Sequence, residues 1–117
     1  MTDPKVMKDK IEETKDIIKK EIVNIITEFG LELDKIILFG SRARGDFTKY
    51  SDWDFLIVVK NSIDISEKRK LAKAIRERLA EELIDVDIIV KTTEELDYYK
   101  DFIGTVTREA LKEGIIV

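Results

Sequence analysis

The sequence predicts a small α+β protein, an α/β sandwich in which helices cover one face of a sheet of three or four short strands. Three observations predict this class. The 117 residues fit a single domain over 1–117 that can bury a substantial core. Amphipathic helical stripes alternate along the chain with short apolar runs typical of strands. No internal repeat, low-complexity tract or linker interrupts this alternation.

A long amphipathic helix is predicted over residues 3–29. Asp3 can cap its first turn, and Pro4 suits the first helical position. Its apolar residues recur at spacings of three, four and seven, and Gly30 ends the helix. This stripe, which we expect to be core, consists of Met7, Ile11, Ile18, Ile22, Ile25 and Phe29.

Two apolar runs in the middle of the chain predict strands. The runs cover residues 35–39 and 53–59. Between them, a short helix is predicted over 41–44, with Gly45 at its end. A loop over 60–65 leads from the second strand to the next helix.

That next helix is predicted over residues 67–83, with Ser66 as its cap. Its apolar residues lie four apart on one face, which favours burial. They are Leu71, Ile75, Leu79 and Leu83. The apolar run 85–90 then predicts a third strand.

A single helix over about 93–113 completes the predicted fold. Thr92 and Glu95 form a capping-box pattern at its start, and Gly114 ends it. Its stripe consists of Leu96, Tyr99, Ile103, Val106 and Ala110.

The composition excludes several kinds of site. The chain has neither cysteine nor histidine, so disulfides, thiolate metal sites and imidazole bases are absent. Carboxylates without imidazole favour Mg²⁺ or Mn²⁺ as the metal. A net charge of −4 disfavours duplex binding, so no direct nucleic-acid partner is expected. No targeting segment or spanning apolar run is visible, which predicts a cytoplasmic protein without a membrane partner.

Two carboxylates stand at the start of the strand 53–59. Asp52 and Asp54 project from one face, whereas Trp53 and Phe55 point to the other, towards the core. Two like charges partly walled by apolar groups repel each other and resist ionising together. A divalent cation resolves this conflict, so the sequence predicts a metal-binding acid pair. The alternative is that both are turn and cap residues without a metal.

The strand 85–90 repeats the arrangement. Asp85 and Asp87 share a face, and Val86, Ile88 and Val90 occupy the other. If this strand lies beside 53–59, Asp87 completes a three-carboxylate cluster able to hold two Mg²⁺ ions and clamp a phosphate. Asp85 is interpreted as a residue that only begins the strand, although the sequence leaves open which acid is the third.

Gly40 and Ser41 follow the strand 35–39 and open the short helix. Gly40 permits a close approach of backbone to ligand. The Ser41 amide and hydroxyl, at the positive end of a helix, can hold phosphate oxygens. Arg42 and Arg44 add cations suited to phosphates, although both could instead be surface charges or pair with acids. An anion-binding turn followed by an acid pair indicates a nucleoside triphosphate with magnesium.

These residues resemble a known signature. Gly40-Ser41, ten intervening residues and then Asp52-Trp53-Asp54 resemble the motif of the DNA polymerase beta-like nucleotidyltransferase superfamily. The later run VDIIV resembles its third-acid strand, with the acid at Asp87. The longer form GSRARGD…SDWDFLIVV is similar to the stand-alone minimal nucleotidyltransferases, of which many are MNT-type antitoxins of HEPN-type toxins.

The resemblance implies a mixed sheet with strand order 1-2-3 and the transfer of a nucleoside monophosphate with release of pyrophosphate. It implies that Asp52 and Asp54 ligate both Mg²⁺ ions and that Gly40 and Ser41 hold the triphosphate. It also implies that Asp87 binds the catalytic ion and helps to take the acceptor's proton. Larger members bind the acceptor with a second domain, for which no residues remain here. The acceptor surface is therefore expected from a HEPN-type toxin or from another copy of this chain.

The main hypothesis is a Mg²⁺-dependent transferase that moves AMP from ATP to a hydroxyl of a partner protein, as the antitoxin of a toxin–antitoxin pair. A second hypothesis is a non-catalytic antitoxin that neutralises its toxin by binding. A third keeps the enzyme class but makes the acceptor a small molecule such as an aminoglycoside. Neither the nucleotide preference nor the oligomeric state follows from the residues.

Overall fold

The computed structural model describes residues 3–100 and 105–117, apart from the side chains of Tyr99 and Val106. Within these residues the elements follow the order α1 (Pro4–Glu28), β1 (Leu33–Phe39), α2 (Ser41–Arg44), β2 (Trp53–Val59), α3 (Ile65–Glu81), β3 (Val86–Thr92), α4 (Thr93–Tyr99), α5 (Val106–Glu113) and β4 (Ile115–Ile116). No helix in the described part of the chain is long and apolar enough to cross a lipid bilayer.

The four strands form one mixed sheet. Their order is β3-β2-β1-β4, so the implied core order 1-2-3 is confirmed. Strand β1 runs antiparallel to β2 and β4, whereas β2 and β3 are parallel. Both β1 and β3 are longer than the apolar runs that predicted them, because Leu33 and Thr92 each pair with Val59 on the central strand.

The main core lies between one face of the sheet and the helices α1 and α3. The predicted direction of Trp53 and Phe55 is confirmed, since both are buried in this core. Other buried members include Ile18, Ile22 and Ile25 of α1, Leu71, Ile75 and Leu79 of α3, and Ile88 and Val90 of β3. Two residues of the predicted α1 stripe lie at its ends and are largely exposed, Met7 at 47% and Phe29 at 40%.

The helices cover both faces of the sheet, not one as predicted. Ile37, Leu56 and Val58 on the second face pack with Leu96 of α4 and Ala110 of α5. This second core is smaller, and its strand residues alternate with those of the first. The carboxylate of Asp54 therefore shares a face with Leu56 and Val58.

The prediction for the ends of α3 is wrong at both termini. The cap is Asp64, whose Oδ1 accepts from the Glu67 amide at 2.8 Å, so the helix starts before Ser66. At the other end Leu83 has φ 59° and is 93% exposed, because the helix has already ended at Glu81.

The predicted single helix over 93–113 is also wrong. Thr105 has an extended backbone, with φ −82° and ψ 148°, and caps α5 by accepting from the Arg108 amide at 3.1 Å. The chain therefore forms two helices, α4 and α5. Ile103 of the predicted stripe lies outside the described residues.

The capping box of α4 is confirmed and supports a stability prediction. Thr92 Oγ1 accepts from the Glu95 amide at 3.1 Å, and Glu95 Oε1 accepts from the Thr92 amide at 3.1 Å. We expect Thr92→Ala to lower the free energy of unfolding by about 1 kcal/mol, measured by urea denaturation. Thr92→Ser keeps the hydroxyl and is the control. Equal stability of Thr92→Ala and the native chain would contradict the role of the cap.

The pH dependence of this contribution follows from Glu95. Burial acts to raise the pKa of Glu95, but hydrogen bonds from Lys68 and Thr92 outweigh burial and hold that pKa below its usual value. A depressed pKa stabilises the folded state above the pKa of the unfolded chain, and this stabilisation is lost as the pH falls through the folded pKa. The difference between the native and Glu95→Gln chains, which isolates the charge of Glu95, is therefore expected to shrink in acid.

Candidate active site

The predicted site residues meet at one end of the sheet. Strand β1 ends at Phe39, directly before Gly40 and Ser41. Because β1 is antiparallel to β2 and β3 is parallel to it, the end of β1 lies beside the starts of β2 and β3. Three segments that are distant in sequence thus bring the Gly-Ser turn next to the acids at 52, 54 and 87.

Asp54 and Asp87 are direct neighbours across the parallel pair β2–β3. Phe39 occupies the same position on the other side of Asp54, in β1. Neighbouring strands lie about 4.8 Å apart, and residues directly opposite each other share a face of the sheet. The two carboxylates therefore stand side by side on the second face, with Asp54 half-buried and Asp87 exposed.

The electrostatics of Asp54 show that it interacts with both other acids. Burial raises the pKa of Asp54, and the charges of Asp87 and Asp52 raise it further, while Arg44 partly offsets them. Asp52 is exposed and directly precedes β2. Asp85 precedes β3 and lies outside the pair formed by Asp54 and Asp87. Asp87, and not Asp85, is thus the strand neighbour of Asp54, and which acid is the third of the cluster stays a prediction.

The donor set fits a hard cation. Three carboxylates supply only oxygen ligands, which Mg²⁺ prefers. The pKa of Asp54 is raised first by burial and then by the charges of Asp87 and Asp52, and a bound cation would offset both effects. Among residues 3–100 and 105–117, no three acidic side chains already converge as a closed metal site. An ion shared by Asp52, Asp54 and Asp87 would need these three carboxylates to lie closer together than the structure places them.

Gly40 makes the close approach between the turn and the acids. It has φ 74°, and a Cβ built on it would overlap Asp54 Oδ2 and lie 3.1 Å from Asp54 Cγ. A side chain at position 40 would therefore displace the Asp54 carboxylate, and the positive φ also favours glycine there. Ser41 is half-buried at the first position of α2, and Gly45 ends that helix with φ 90°.

The two predicted phosphate-binding arginines differ in their surroundings. Arg44 is exposed and pairs with Asp46 at 3.4 Å and Glu113 at 3.3 Å. These exposed ion pairs are weak and can yield to a ligand. Arg44 thus remains accessible from the site, and its role in phosphate binding stays a prediction.

Arg42, by contrast, is held inside the loop that carries Asp52. Its guanidinium lies over the rings of Phe47, at 4.8 Å, and Trp53, at 4.5 Å. Its Nη2 and Nε donate to the Ser51 carbonyl at 2.8 and 3.2 Å. Sequence reasoning missed Phe47 and Ser51, because these contacts depend on the path of the loop and no spacing in the sequence signals them.

We expect Arg42→Lys to lower the free energy of unfolding by about 1–2 kcal/mol, because lysine keeps the charge but loses the two-pronged hydrogen bond and the stacking. Thermal unfolding measures this loss. Arg44→Lys is the matched control, since Arg44 is exposed and should change stability little. If Arg42→Lys unfolds at the native temperature, the guanidinium does not hold the loop.

The raised pKa of Asp54 predicts that replacing this residue increases the stability of the fold, whereas replacing Arg42 decreases it. A carboxyl whose pKa is raised on folding costs stability once it is ionised in both states, and this cost vanishes when the pH falls below both pKa values. We therefore expect Asp54→Asn to be more stable than the native chain at neutral pH, by up to about 1 kcal/mol for a half-exposed group. Denaturation at neutral and acid pH checks this: the difference should disappear in acid, and a less stable variant at neutral pH would contradict it.

The sequence of this chain is similar to those of known proteins. The family model described as the nucleotidyltransferase domain matches residues 9–117. A protein of Methanocaldococcus jannaschii, named as a candidate protein adenylyltransferase, is 43% identical over 82 residues, which cover 62% of this chain and 83% of that protein. A second protein of the same organism and the same kind of name is 55% identical over 40 residues, covering 33% of this chain and 40% of that protein.

Solved structures share the fold. The crystal structure of a candidate nucleotidyltransferase from Sulfolobus solfataricus aligns over 98% of this chain and 87% of that one, with a TM-score of 0.63 and 25% identity. A chain from a toxin–antitoxin structure with AMP-PNP aligns over 83% of this chain and 69% of its own length, with a TM-score of 0.50 and 22% identity. A chain from the complex of a tri-AMPylated Shewanella oneidensis HEPN toxin with an MNT antitoxin aligns over 86% of this chain and 69% of its own length, with a TM-score of 0.50 and 16% identity. The likeness to the last two is one of fold alone.

Proposed function

Because the chain belongs to the nucleotidyltransferase domain family and is therefore an enzyme of that class, we propose that it transfers AMP from ATP to a hydroxyl group of a partner protein. The observation that carries this proposal is the side-by-side placement of Asp54 and Asp87 against the Gly40 turn. A phosphate-binding turn and an acid pair in contact suit a triphosphate and its metal ions. The 43% identical relative named as a candidate protein adenylyltransferase supports a protein acceptor.

The reaction requires one bond to form and one to break. The acceptor oxygen attacks the α-phosphorus, the bond from that phosphorus to the bridging oxygen of the β-phosphate breaks, and pyrophosphate leaves. Asp87, which is exposed and lies on the edge strand β3 of the described sheet, would receive the hydroxyl proton. Asp54, fixed between Phe39 and Asp87, orients the cluster.

The remaining residues bind and orient the nucleotide. Asp52, Asp54 and Asp87 would hold two Mg²⁺ ions, which when bound neutralise charge on the triphosphate and the leaving pyrophosphate. The Ser41 amide and hydroxyl, at the start of α2, would bind phosphate oxygens next to Gly40. Arg44, whose charge acts to lower the pKa of Asp54, would supply positive charge for the phosphates.

We further propose that the acceptor is the toxin of a toxin–antitoxin pair and that this chain is the antitoxin. The fold shared with chains from such complexes, one of which contains an AMPylated toxin, supports this proposal. Modification of the toxin hydroxyl would then silence the toxin.

The proposal is tested by the intact mass of a HEPN-type toxin co-expressed with this chain. We expect a mass increase equal to one or more AMP groups, which is absent when the toxin is expressed with the Asp54→Asn chain. A toxin that is neutralised in cells yet keeps its unmodified mass would contradict the proposal and favour an antitoxin that acts by binding alone.

A further inference from the structure

Asp52 is the acid of the candidate cluster whose backbone the sheet holds least. Asp54 and Asp87 lie within β2 and β3, where pairing of the two strands fixes their backbone. Asp52 is exposed and directly precedes β2, so strand pairing alone does not set its conformation. A metal ligand in a loose segment must be ordered when the ion binds, and the entropy lost in ordering it weakens binding. The contacts on either side of Asp52 therefore bear on the affinity of the site for a metal ion.

The two peptide groups that flank Asp52 are both hydrogen-bonded. On the amino side, the Ser51 carbonyl accepts from Nη2 and Nε of Arg42 at 2.8 and 3.2 Å. On the carboxyl side, the Trp53 amide donates to the Asp85 carbonyl at 3.1 Å. Because the planes of its two peptide groups determine the φ and ψ of a residue, these bonds together fix the backbone of Asp52.

Arg42 also contacts the residue that follows Asp52. Its Cζ lies 4.5 Å from the centroid of the buried Trp53 ring and 4.8 Å from the centroid of the Phe47 ring. A guanidinium group that is held by two rings and by a two-pronged hydrogen bond has little freedom to rotate. Arg42 thus joins Ser51 and Trp53, the two neighbours of Asp52 in the chain.

The turn before Asp52 is itself closed by hydrogen bonds. The Ser51 amide donates to the Thr48 carbonyl at 3.1 Å, and the Thr48 amide donates to Ser51 Oγ at 2.9 Å. These reciprocal bonds fix the turn over residues 48–51 and leave the Ser51 carbonyl to accept from Arg42. Arg42 directly follows Ser41 in α2, so its side chain links the predicted phosphate-binding turn to the segment that carries Asp52.

We propose that Arg42 is a positioning residue for the metal site, because its guanidinium fixes the backbone of Asp52 before a divalent cation binds. Arg42 would then act through Asp52, whereas the sequence predicted a direct contact with phosphates. The inference rests on the proposed function, in which Asp52 is a metal ligand. The hydrogen bonds carry it and the charge of Arg42 does not, since a cation near Asp52 by itself repels a metal ion.

The test uses Mn²⁺ as the probe and the full chain without nucleotide, with binding measured from the electron paramagnetic resonance signal of the free ion. Arg42→Lys keeps the positive charge but loses the two-pronged bond and the stacking. We expect it to weaken Mn²⁺ binding about tenfold, as is typical when a residue that orients a metal ligand is replaced. Phe47→Leu removes only one ring contact and is expected to weaken binding about threefold.

Two controls separate positioning from a general loss of stability. Thr92→Ala removes the cap of α4, at the opposite end of β3 from Asp87, so this less stable chain should bind Mn²⁺ with native affinity. In the Asp52→Asn chain, which lacks the ligand, Arg42→Lys should cause no further loss of affinity, because the effects of residues that act through one another are not additive.

Several outcomes would overturn the positioning role. They are native Mn²⁺ affinity in Arg42→Lys, an equal loss in Thr92→Ala, additive losses in the double variant, or an affinity that Asp52→Asn leaves unchanged. Native Mn²⁺ affinity in Arg42→Lys together with AMP transfer by the native chain refutes only the role of Arg42. A tenfold weaker affinity in Arg42→Lys without any AMP transfer by the native chain refutes only the proposed function.

Discussion

Replacing Asp54 by asparagine is expected to reduce AMP transfer at least about a hundredfold. Asp54 stands between Phe39 and Asp87 and interacts electrostatically with both other acids of the cluster. Asparagine keeps the shape but removes the charge that would hold Mg²⁺, and metal stabilisation of a transition state amounts to several kcal/mol. Initial rates with ATP, Mg²⁺ and the acceptor protein measure the loss.

Asp85→Asn is the matched control for this loss. It makes the same chemical change two residues before Asp87, but at a position outside β3 and outside the pair with Asp54. We expect its rate to remain within about twofold of native, as is usual for a group remote from the reacting atoms. Loss of activity in Asp85→Asn with retention in Asp87→Asn would show that the third acid is Asp85.

The second large effect is expected for Gly40→Ala. The added Cβ overlaps the Asp54 carboxylate and forces it, or the turn, to move. A carboxylate displaced from its place beside Asp87 would share an ion with it less well, and a shift of about 1 Å in a catalytic group can cost about a hundredfold in rate. Activity and thermal unfolding of the variant are measured together.

Gly45→Ala introduces a Cβ at a positive φ without the overlap, at a left-handed helical residue with ψ 3°, whereas Gly40 has ψ −159°. Gly45 also has a positive φ, 90°, but a Cβ built there meets no atom within 4 Å. We expect about 1–2 kcal/mol of destabilisation from the left-handed backbone and near-native activity. If Gly45→Ala and Gly40→Ala lose activity equally, the contact with Asp54 is not the reason for glycine at position 40.

The strands and their order could be predicted because the candidate site residues lie on or beside three of the strands, β1, β2 and β3. The spacing between Gly40 and Asp54 and the run around Asp87 indicate a family whose sheet order is 1-2-3, and the apolar runs locate each strand. The Asp54–Asp87 register, in contrast, is a property of strand pairing and follows from no local pattern.

Periodicity could not reveal the break between α4 and α5. Leu96 and Ala110 both pack on the second face of the sheet. Their spacing therefore fits one continuous helix, although Thr105 between them has an extended backbone. Serine and aspartate are equally good caps, so residue type alone does not separate Ser66 from Asp64, and only the path of the chain favours Asp64.

The position of the transferred phosphorus tests the central claim most directly. ATP radiolabelled at the α-phosphate and ATP radiolabelled at the γ-phosphate are each incubated with Mg²⁺, the acceptor protein and either the native or the Asp54→Asn chain. We predict that the acceptor is labelled only from the α-phosphate and only by the native chain. Labelling from the γ-phosphate, or equal labelling by Asp54→Asn, would contradict nucleotidyl transfer at these three carboxylates.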